Sequence, residues 1–395
     1  MRFLFYSHDG LGLGHTRRNL ALAAALTDAA PEASAIVVTG SSAAEDLGVP
    51  ARVDIIRIPG LRKLGNGRYG ARRLPLSGDD LCRVRAAALE AAVESFRPSV
   101  LVADKHPLGV RGELRPALEA IRRLGGQTVL GLRDILDEAG AAVREWAADD
   151  IPFQIERHYD RILVYGAERV LDFVGEYALS PALAERTRFC GYVVHPLVRT
   201  AVREAGPARS RRSRPLVLAS AGAGEDGYEV LRTFMQAASG APFDAAVVCG
   251  SNCPAPARAS LERIARERGV QFRSFVPDLA RRFADADALV CMGGYNTFAE
   301  ALTAGTPVVC VPRSRPRREQ LIRARAFARL GLARVIEPDQ LEPVRLRSEV
   351  CAALAGPSRA VLAERAGSEL DLDGAQTAAD HLIELATRVP VAAVA

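Results

Sequence analysis

Two short stretches concentrate the residue types that do chemistry. The first is Ser7-His8-Asp9-Gly10-Leu11-Gly12-Leu13-Gly14-His15, placed between an apolar run and a long Ala/Leu-rich segment. Its glycines let a backbone turn sharply and approach a ligand, and the segment after it is read as a helix offering unpaired N–H groups. The spacing departs from GxGxxG, because His15 stands where the third glycine belongs, and the second apolar run ends in Thr39-Gly40 without an acid. A dinucleotide site is therefore not expected. His15 at a helix start is instead a candidate base, with Asp9 beside it as another and Gly12 and Gly14 against the ligand.

The second stretch is stronger. Met292-Gly293-Gly294-Tyr295-Asn296-Thr297 closes an apolar run and opens a helix, with Glu300 in its first turns. Backbone amides and a Thr hydroxyl there suit a diphosphate, and a carboxylate one turn on suits a ribose diol. The next apolar run ends in Pro312-Arg313, and Glu319 and Gln320 follow within reach of sugar hydroxyls. Arg313 is the cation expected to stabilise a departing diphosphate.

These residues must be held by a scaffold. In the first half, strands are expected at 2–6, 35–39, 53–58, 100–103, 127–132 and 161–165, with helices at 15–29, 78–96, 112–124 and 137–148. After the breaker-rich 204–215, the pattern restarts with strands at 216–220, 245–249, 270–275, 288–292, 307–311 and 333–336. The helices expected between them are 226–239, 256–268, 295–304 and 317–330. This alternation implies an α/β protein of two doubly wound, Rossmann-like domains facing each other across a cleft, with ligands at the carboxyl ends of the strands. The expected division is 1–200, a linker at 201–214, and 215–395, with the last helix returning to the first domain.

That rule brings in further residues. Asp104, His106, Arg133 and Asp134 follow strands of the first domain, so Asp104 joins His15 and Asp9 as a candidate base and the other three face the acceptor. His106 precedes Pro107, in extended backbone, with no second histidine near it in sequence to suggest a metal. Leu61-Arg62-Lys63-Leu64 with Arg68, Tyr69, Arg72 and Arg73 reads as a long basic loop suited to an anionic lipid surface or a phosphorylated acceptor.

Bulk composition excludes several classes. The 395 residues are 49% hydrophobic and 25% charged, ordinary for a soluble globular chain, and no uncharged apolar stretch is long enough to span a membrane. A cytoplasmic location is expected. The excess of 52 Lys+Arg over 47 Asp+Glu is too small to argue for nucleic acid. Seven scattered cysteines read as buried thiols, and Cys249-Gly-Ser-Asn-Cys253 lacks the second pair that zinc requires. No cofactor or metal is expected.

The segment 292–320 resembles the donor-binding region of GT-B glycosyltransferases, in particular the family of the peptidoglycan N-acetylglucosaminyltransferase that acts on lipid-linked muramoyl pentapeptide. In that family a Gly-Gly turn precedes a helix whose Glu holds the nucleotide ribose, and a later Gln-containing pair contacts the donor sugar. The resemblance places those roles on Gly293, Gly294, Asn296, Thr297, Glu300, Glu319 and Gln320. Val217-Leu-Ala-Ser220-Ala-Gly222-Ala-Gly224 resembles the family's diphosphate loop, with Ser220-Ala221-Gly222 where the family has Gly-Gly-Ser. Phe275-Val276 marks the loop around the base, and SHDGLGLGH resembles the N-terminal loop ending in His.

The resemblance implies an inverting, metal-independent transfer from a nucleotide sugar, with a UDP-sugar favoured, to an unidentified small-molecule or lipid-linked acceptor. Residues 61–73 would then touch the inner membrane face. Gly14-His15 followed by Arg18-Asn19-Leu20 is also similar to a UDP-sugar hydrolase of the pseudaminic-acid pathway. A non-catalytic nucleotide-sugar-binding subunit is the third reading.

Overall fold

The computed structural model describes residues 1–8, 14–42, 44–65, 68–209, 212–276 and 279–388, the side chains at 63, 65, 68 and 205–209 excepted. Asp9 and Gly12 lie outside them. The chain forms two compact units: unit 1 is built from residues 1–168, 172–195 and the segment from Asp373 onward, unit 2 from 169–171 and 196–372.

Unit 1 has a seven-stranded parallel sheet. Its strands are β1 Arg2–Ser7, β2 Ser34–Thr39, β3 Val53–Arg57, β6 Val100–Asp104, β7 Gln127–Arg133, β8 Arg161–Tyr165 and β9 Thr187–Phe189, in the order β3-β2-β1-β6-β7-β8-β9. A separate antiparallel pair, β4 Leu61–Gly65 and β5 Arg68–Ala71, stands between β3 and the helix Gly78–Phe96. Phe3, Leu4, Phe5 and Tyr6 of β1 are fully buried, as a central strand covered on both faces requires. Chain order reverses between β1 and β6, the switch point where such sheets bind ligands.

Unit 2 repeats the plan with β10 Leu216–Ser220, β11 Asp244–Val248, β12 Gln271–Arg273, β13 Ala288–Cys291, β14 Val308–Cys310 and β15 Arg334–Val335, in the order β12-β11-β10-β13-β14-β15. All pairs are parallel. The switch point falls between β10 and β13, where Ser220 is in register with Cys291. This places the Ser220 loop beside the Gly293-Gly294 turn.

Two features differ from the sequence reading. The segment 201–214 is not a free linker: helix Pro196–Arg209 runs into it and belongs to unit 2, whose main stretch begins at Pro196. Val198, Ala201 and Val202 form an apolar stripe at helical spacing, with Val198 and Ala201 buried and Val202 packed on Ala284 and Ala304. The basic stretch 61–73 is not an irregular loop either. Leu61 buries with Leu81, Cys82 and Val110, and Tyr69 and Ala71 pack on that cluster, so the hairpin is anchored by its apolar side chains.

The helix Gly374–Thr387 packs in unit 1 against Gly14–Ala29 and buries Ala378, Leu382 and Leu385. No described helix is long and apolar enough to cross a membrane. All seven cysteines are free thiols, six of them buried.

Candidate functional site

At the unit 1 switch point, helix Gly14–Ala29 presents His15 and, one turn later, Arg18 toward the end of β6. Arg18 Nη2 donates to both oxygens of Asp104, 2.6 Å from each, and both residues are buried. His15 Nδ1 lies 3.3 Å from Asp104 Oδ1, and Arg133 Nη2 at the end of β7 lies 3.3 Å from His15 Nε2. Arg18 Nη2 also stands 2.9 Å from His15 Nδ1, so a guanidinium meets each ring nitrogen and the Asp104 carboxylate meets Nδ1. The Arg18 guanidinium also lies over the Tyr165 ring, 5.1 Å from its centroid.

Three charges therefore surround one imidazole. Burial lowers the His15 pKa, Asp104 opposes that, and Arg133 and Arg18 reinforce it, leaving the ring well below its usual value and neutral. Burial alone would raise Asp104, but Arg18 and His15 outweigh it and hold the carboxyl well below the usual range. A buried neutral ring beside an ionised carboxylate has the chemistry of a general base.

His8, immediately after β1, completes the cluster. Its ring meets that of His106 edge-on at 4.3 Å between centroids, that of His15 at 5.5 Å and that of Tyr69 from the hairpin at 6.5 Å. Burial, then the nearby Lys105 cation, lowers its pKa to about 3. The three histidines are thus brought together by the sheet, although His106 has no close histidine in sequence. Among the described residues no group of His, Cys, Asp and Glu suits a metal. Beneath them Arg85 binds Glu113 through Nε at 2.5 Å and Nη2 at 2.7 Å, and donates to Pro59 O, while Tyr6 donates to Glu113. This buried network ties the Gly78–Phe96 helix to β1.

The expected acceptor residues divide. Arg133 and His106 stand in the cluster, whereas Asp134 is buried elsewhere, accepting from Tyr192 Oη at 2.6 Å. A cavity of about 270 Å³ opens at the carboxyl ends of β2 and β3, lined by Arg57, Ile58, Arg72, Arg73, Leu74 and Leu81 among others.

In unit 2 the glycines are required by their geometry. Gly293 has φ +83°, and a Cβ there would stand 3.2 Å from both Gln320 O and Cys310 Sγ. Gly294 precedes helix Tyr295–Thr303 with no side chain capping it, which leaves first-turn amides for a ligand. Asn296 and Thr297 lie in that first turn, and Glu300 one turn on is buried. Across the switch point, Ser220 Oγ accepts from Gly222 N at 3.3 Å, and Gly224 has φ +93° with no room for a Cβ against Cys249 O. Gly250 N in turn donates to Ser274 O at 3.1 Å, carrying the same edge to Phe275 and Val276. Phe275 is exposed, and Val276 lines a cavity of about 200 Å³ with Leu218, Val248 and Arg273.

Arg313 closes this edge by binding Asp226 at 3.2 Å and Glu319 at 3.1 Å. Gln320 Oε1 is buried without a hydrogen-bond partner. Arg323, buried on helix Glu319–Arg329, donates to Gly293 O at 3.0 Å and lies over the Tyr295 ring.

The sequence reading missed His8, Arg18, Asp226 and Arg323. Arg18 and Arg323 carried a signal: each occupies a buried helical stripe, His15/Arg18/Asn19/Leu22 and Gln320/Arg323/Ala324/Phe327, where an arginine has to be paired.

Comparison with known proteins bears on the fold and on the C-terminal part of the chain. Residues 234–382 match the glycosyltransferase family 28 C-terminal domain. Over 122 residues the chain is 34% identical to the UDP-N-acetylglucosamine–N-acetylmuramyl-(pentapeptide) pyrophosphoryl-undecaprenol N-acetylglucosamine transferase of Yersinia pseudotuberculosis, covering 30% of this chain and 33% of that one. Over 76 residues it is 37% identical to the enzyme of the same name from Corynebacterium efficiens, 19% and 21% of the two chains. The chain thus matches a third or less of the length of these relatives. Two solved structures align along nearly the whole chain. One is the calicheamicin glycosyltransferase CalG4, with TM-score 0.62, 19% identity and 98% and 99% of the two chains covered. The other is MurG of Acinetobacter baumannii, with TM-score 0.57, 17% identity and the same coverage. The chain therefore has an α/β fold of the GT-B glycosyltransferase type, and over its C-terminal part it resembles the family 28 enzymes.

Proposed function

We propose that this protein transfers a sugar from a nucleoside-diphosphate sugar, a UDP-sugar in the first instance, to a hydroxyl acceptor, with inversion and without a metal. The observation that carries this is the family 28 match over the segment that holds the Gly293-Gly294 turn, Glu300 and Gln320. In unit 2, the amides at Gly294–Thr297 and the Ser220–Gly224 loop hold the diphosphate, Glu300 the ribose, Phe275-Val276 the base, and Glu319 and Gln320 the sugar. Unit 1 holds the acceptor. His15 takes the acceptor proton, Asp104 stabilises the imidazolium that forms, and the acceptor oxygen replaces the departing nucleoside diphosphate on the anomeric carbon. Exposed Leu64, Leu74 and Leu76 beside Arg72 and Arg73 suit contact with an anionic membrane surface.

The deciding experiment incubates the protein with a panel of nucleotide sugars and follows nucleoside diphosphate release with and without candidate acceptors. Acceptor-dependent release is expected. Equal release without acceptor assigns a hydrolase, and binding without turnover a non-catalytic subunit.

A further inference from the structure

The cavity of about 270 Å³ at the carboxyl ends of β2 and β3 combines an apolar floor with a cationic rim. Ile58 and Leu81 line it and are buried, while Leu74 lines it with 46% of its surface exposed. Arg57, Arg72 and Arg73 complete the lining, and none of the described residues around it is acidic. Arg57 and Arg73 are exposed and meet no carboxylate among the described residues. The walls are held by buried contacts. Arg85 donates to Pro59 O at 2.6 Å and is itself fixed by Glu113, and Leu61 of the hairpin packs on Leu81 of the facing helix. Arg72 N donates to Gly60 O at 3.1 Å, which closes the base of the hairpin. A pocket formed in advance costs its ligand little ordering.

Two contacts tie this cavity to the histidine cluster. The hydroxyls of Thr16, next to His15, and of Thr39 are hydrogen-bonded at 2.8 Å, and Gly40, next after Thr39, lines the cavity. Tyr69, whose ring meets that of His8, belongs to the same strand as Ala71, which lines it too.

We infer that the cavity anchors a small organic acid, its apolar body on Ile58, Leu74 and Leu81 and its carboxylate or phosphate on Arg57 and Arg73, and that this acid is the acceptor. Size sets the body. An apolar cavity of about 150 Å³ holds benzene, so about 270 Å³ holds one substituted ring or a chain of similar bulk. Charge sets the head group. One exposed arginine is commonplace, but two without a carboxylate, on an apolar cavity that no acid lines, repel a cation and offer an oxyanion charge-assisted hydrogen bonds. The site stands on the cavity itself, while its role in holding the acceptor rests on the reading of the protein as a glycosyltransferase.

Calorimetric titration of the full chain with 4-butylbenzoate, 4-butylphenyl phosphate and the neutral 4-butylbenzamide tests this. Saturable one-to-one binding of an acid is expected, with the amide at least about tenfold weaker. The tighter of the two acids names the acceptor's charged group. The double variant Arg57→Gln/Arg73→Gln should bring the acid down to the affinity of the amide, and Leu74→Asp should weaken the amide as well. All three side chains are exposed, so the urea midpoint should stay at the wild-type value. Equal affinity for acid and amide, unchanged binding in the double variant, or no saturable binding of either acid would overturn the site. Binding to phosphatidylglycerol vesicles without binding of the soluble acids overturns it too, and makes the arginines a membrane contact. None of these readouts needs turnover, so a chain that binds the acid but releases no nucleoside diphosphate refutes the proposed function and leaves the site standing.

Discussion

Arg18 and Asp104 lie 86 positions apart, yet one guanidinium nitrogen stands 2.6 Å from both carboxylate oxygens. The pair is buried, and it ties the first helix of unit 1 to the end of β6. Removing one partner strands a charge away from water. Arg18→Leu should therefore destabilise the protein by about 3–5 kcal/mol, read as a fall in the urea midpoint. The double variant Arg18→Leu/Asp104→Leu should recover much of that loss. Because Asp104 is depressed on folding, its contribution is complete above about pH 4 and is lost as the pH falls below that value.

His8 and His15 carry the same sign of linkage as Asp104, in a higher pH window. Both are bases with lowered pKa values, His8 to about 3, so the unfolded chain binds their protons first. Stability should fall as the pH drops below about 6.5, by as much as about 1.4 kcal/mol per pH unit for each ring. Urea midpoints at pH 7.5, 6.5 and 5.5 measure the slope, and His8→Phe should reduce it. For the same reason the pH profile of kcat/KM should show no limb near 6.5 due to His15. A limb there that vanishes in His15→Gln would contradict the neutral ring.

The glycines after β10 should respond unequally to the same substitution. Gly222 has φ +64° and open space around a Cβ, whereas a Cβ on Gly224 would stand 2.1 Å from Cys249 O. Gly222→Ala should cost about 1–2 kcal/mol of backbone strain and leave the loop in place. Gly224→Ala should displace the loop, with UDP affinity falling well beyond that of Gly222→Ala by calorimetry. Equal affinities would dissociate this loop from the nucleotide.

Glu300 is buried one turn into the helix that follows the Gly293-Gly294 turn. Glu300→Gln keeps the shape and removes the charge, so UDP affinity should fall about tenfold, the worth of one charge-assisted hydrogen bond. A 2′,3′-dideoxy nucleotide should then bind wild type and variant alike. Unchanged UDP binding in Glu300→Gln would remove the ribose role.

Sequence alone determined the elements whose signal is local. Leu216–Ser220 and Gly78–Phe96 are strand and helix with the bounds their patterns predict, the latter because Ser77 caps the helix by accepting from Asp80 N. The Gly293-Gly294 turn with Glu300 was legible because a glycine-to-helix junction is written in consecutive residues. The hairpin at 61–71 was obscured by its arginines, although Asn66-Gly67 between its strands is a hairpin signal. Its stability comes from Leu61 and Tyr69 packing on Leu81 and Val110, which no local pattern reports.

Tertiary structure alone decided the chemistry around His15. His8 follows β1, while His15, Asp104 and Arg133 come from the first helix, β6 and β7, and only the strand order β1-β6-β7 sets them at one edge. Sequence spacing places residues along an element, but the charge state of a side chain depends on what the neighbouring elements press against it. The neutral His15, the ionised Asp104 and the Arg133 set beside His15 are consequences of that packing.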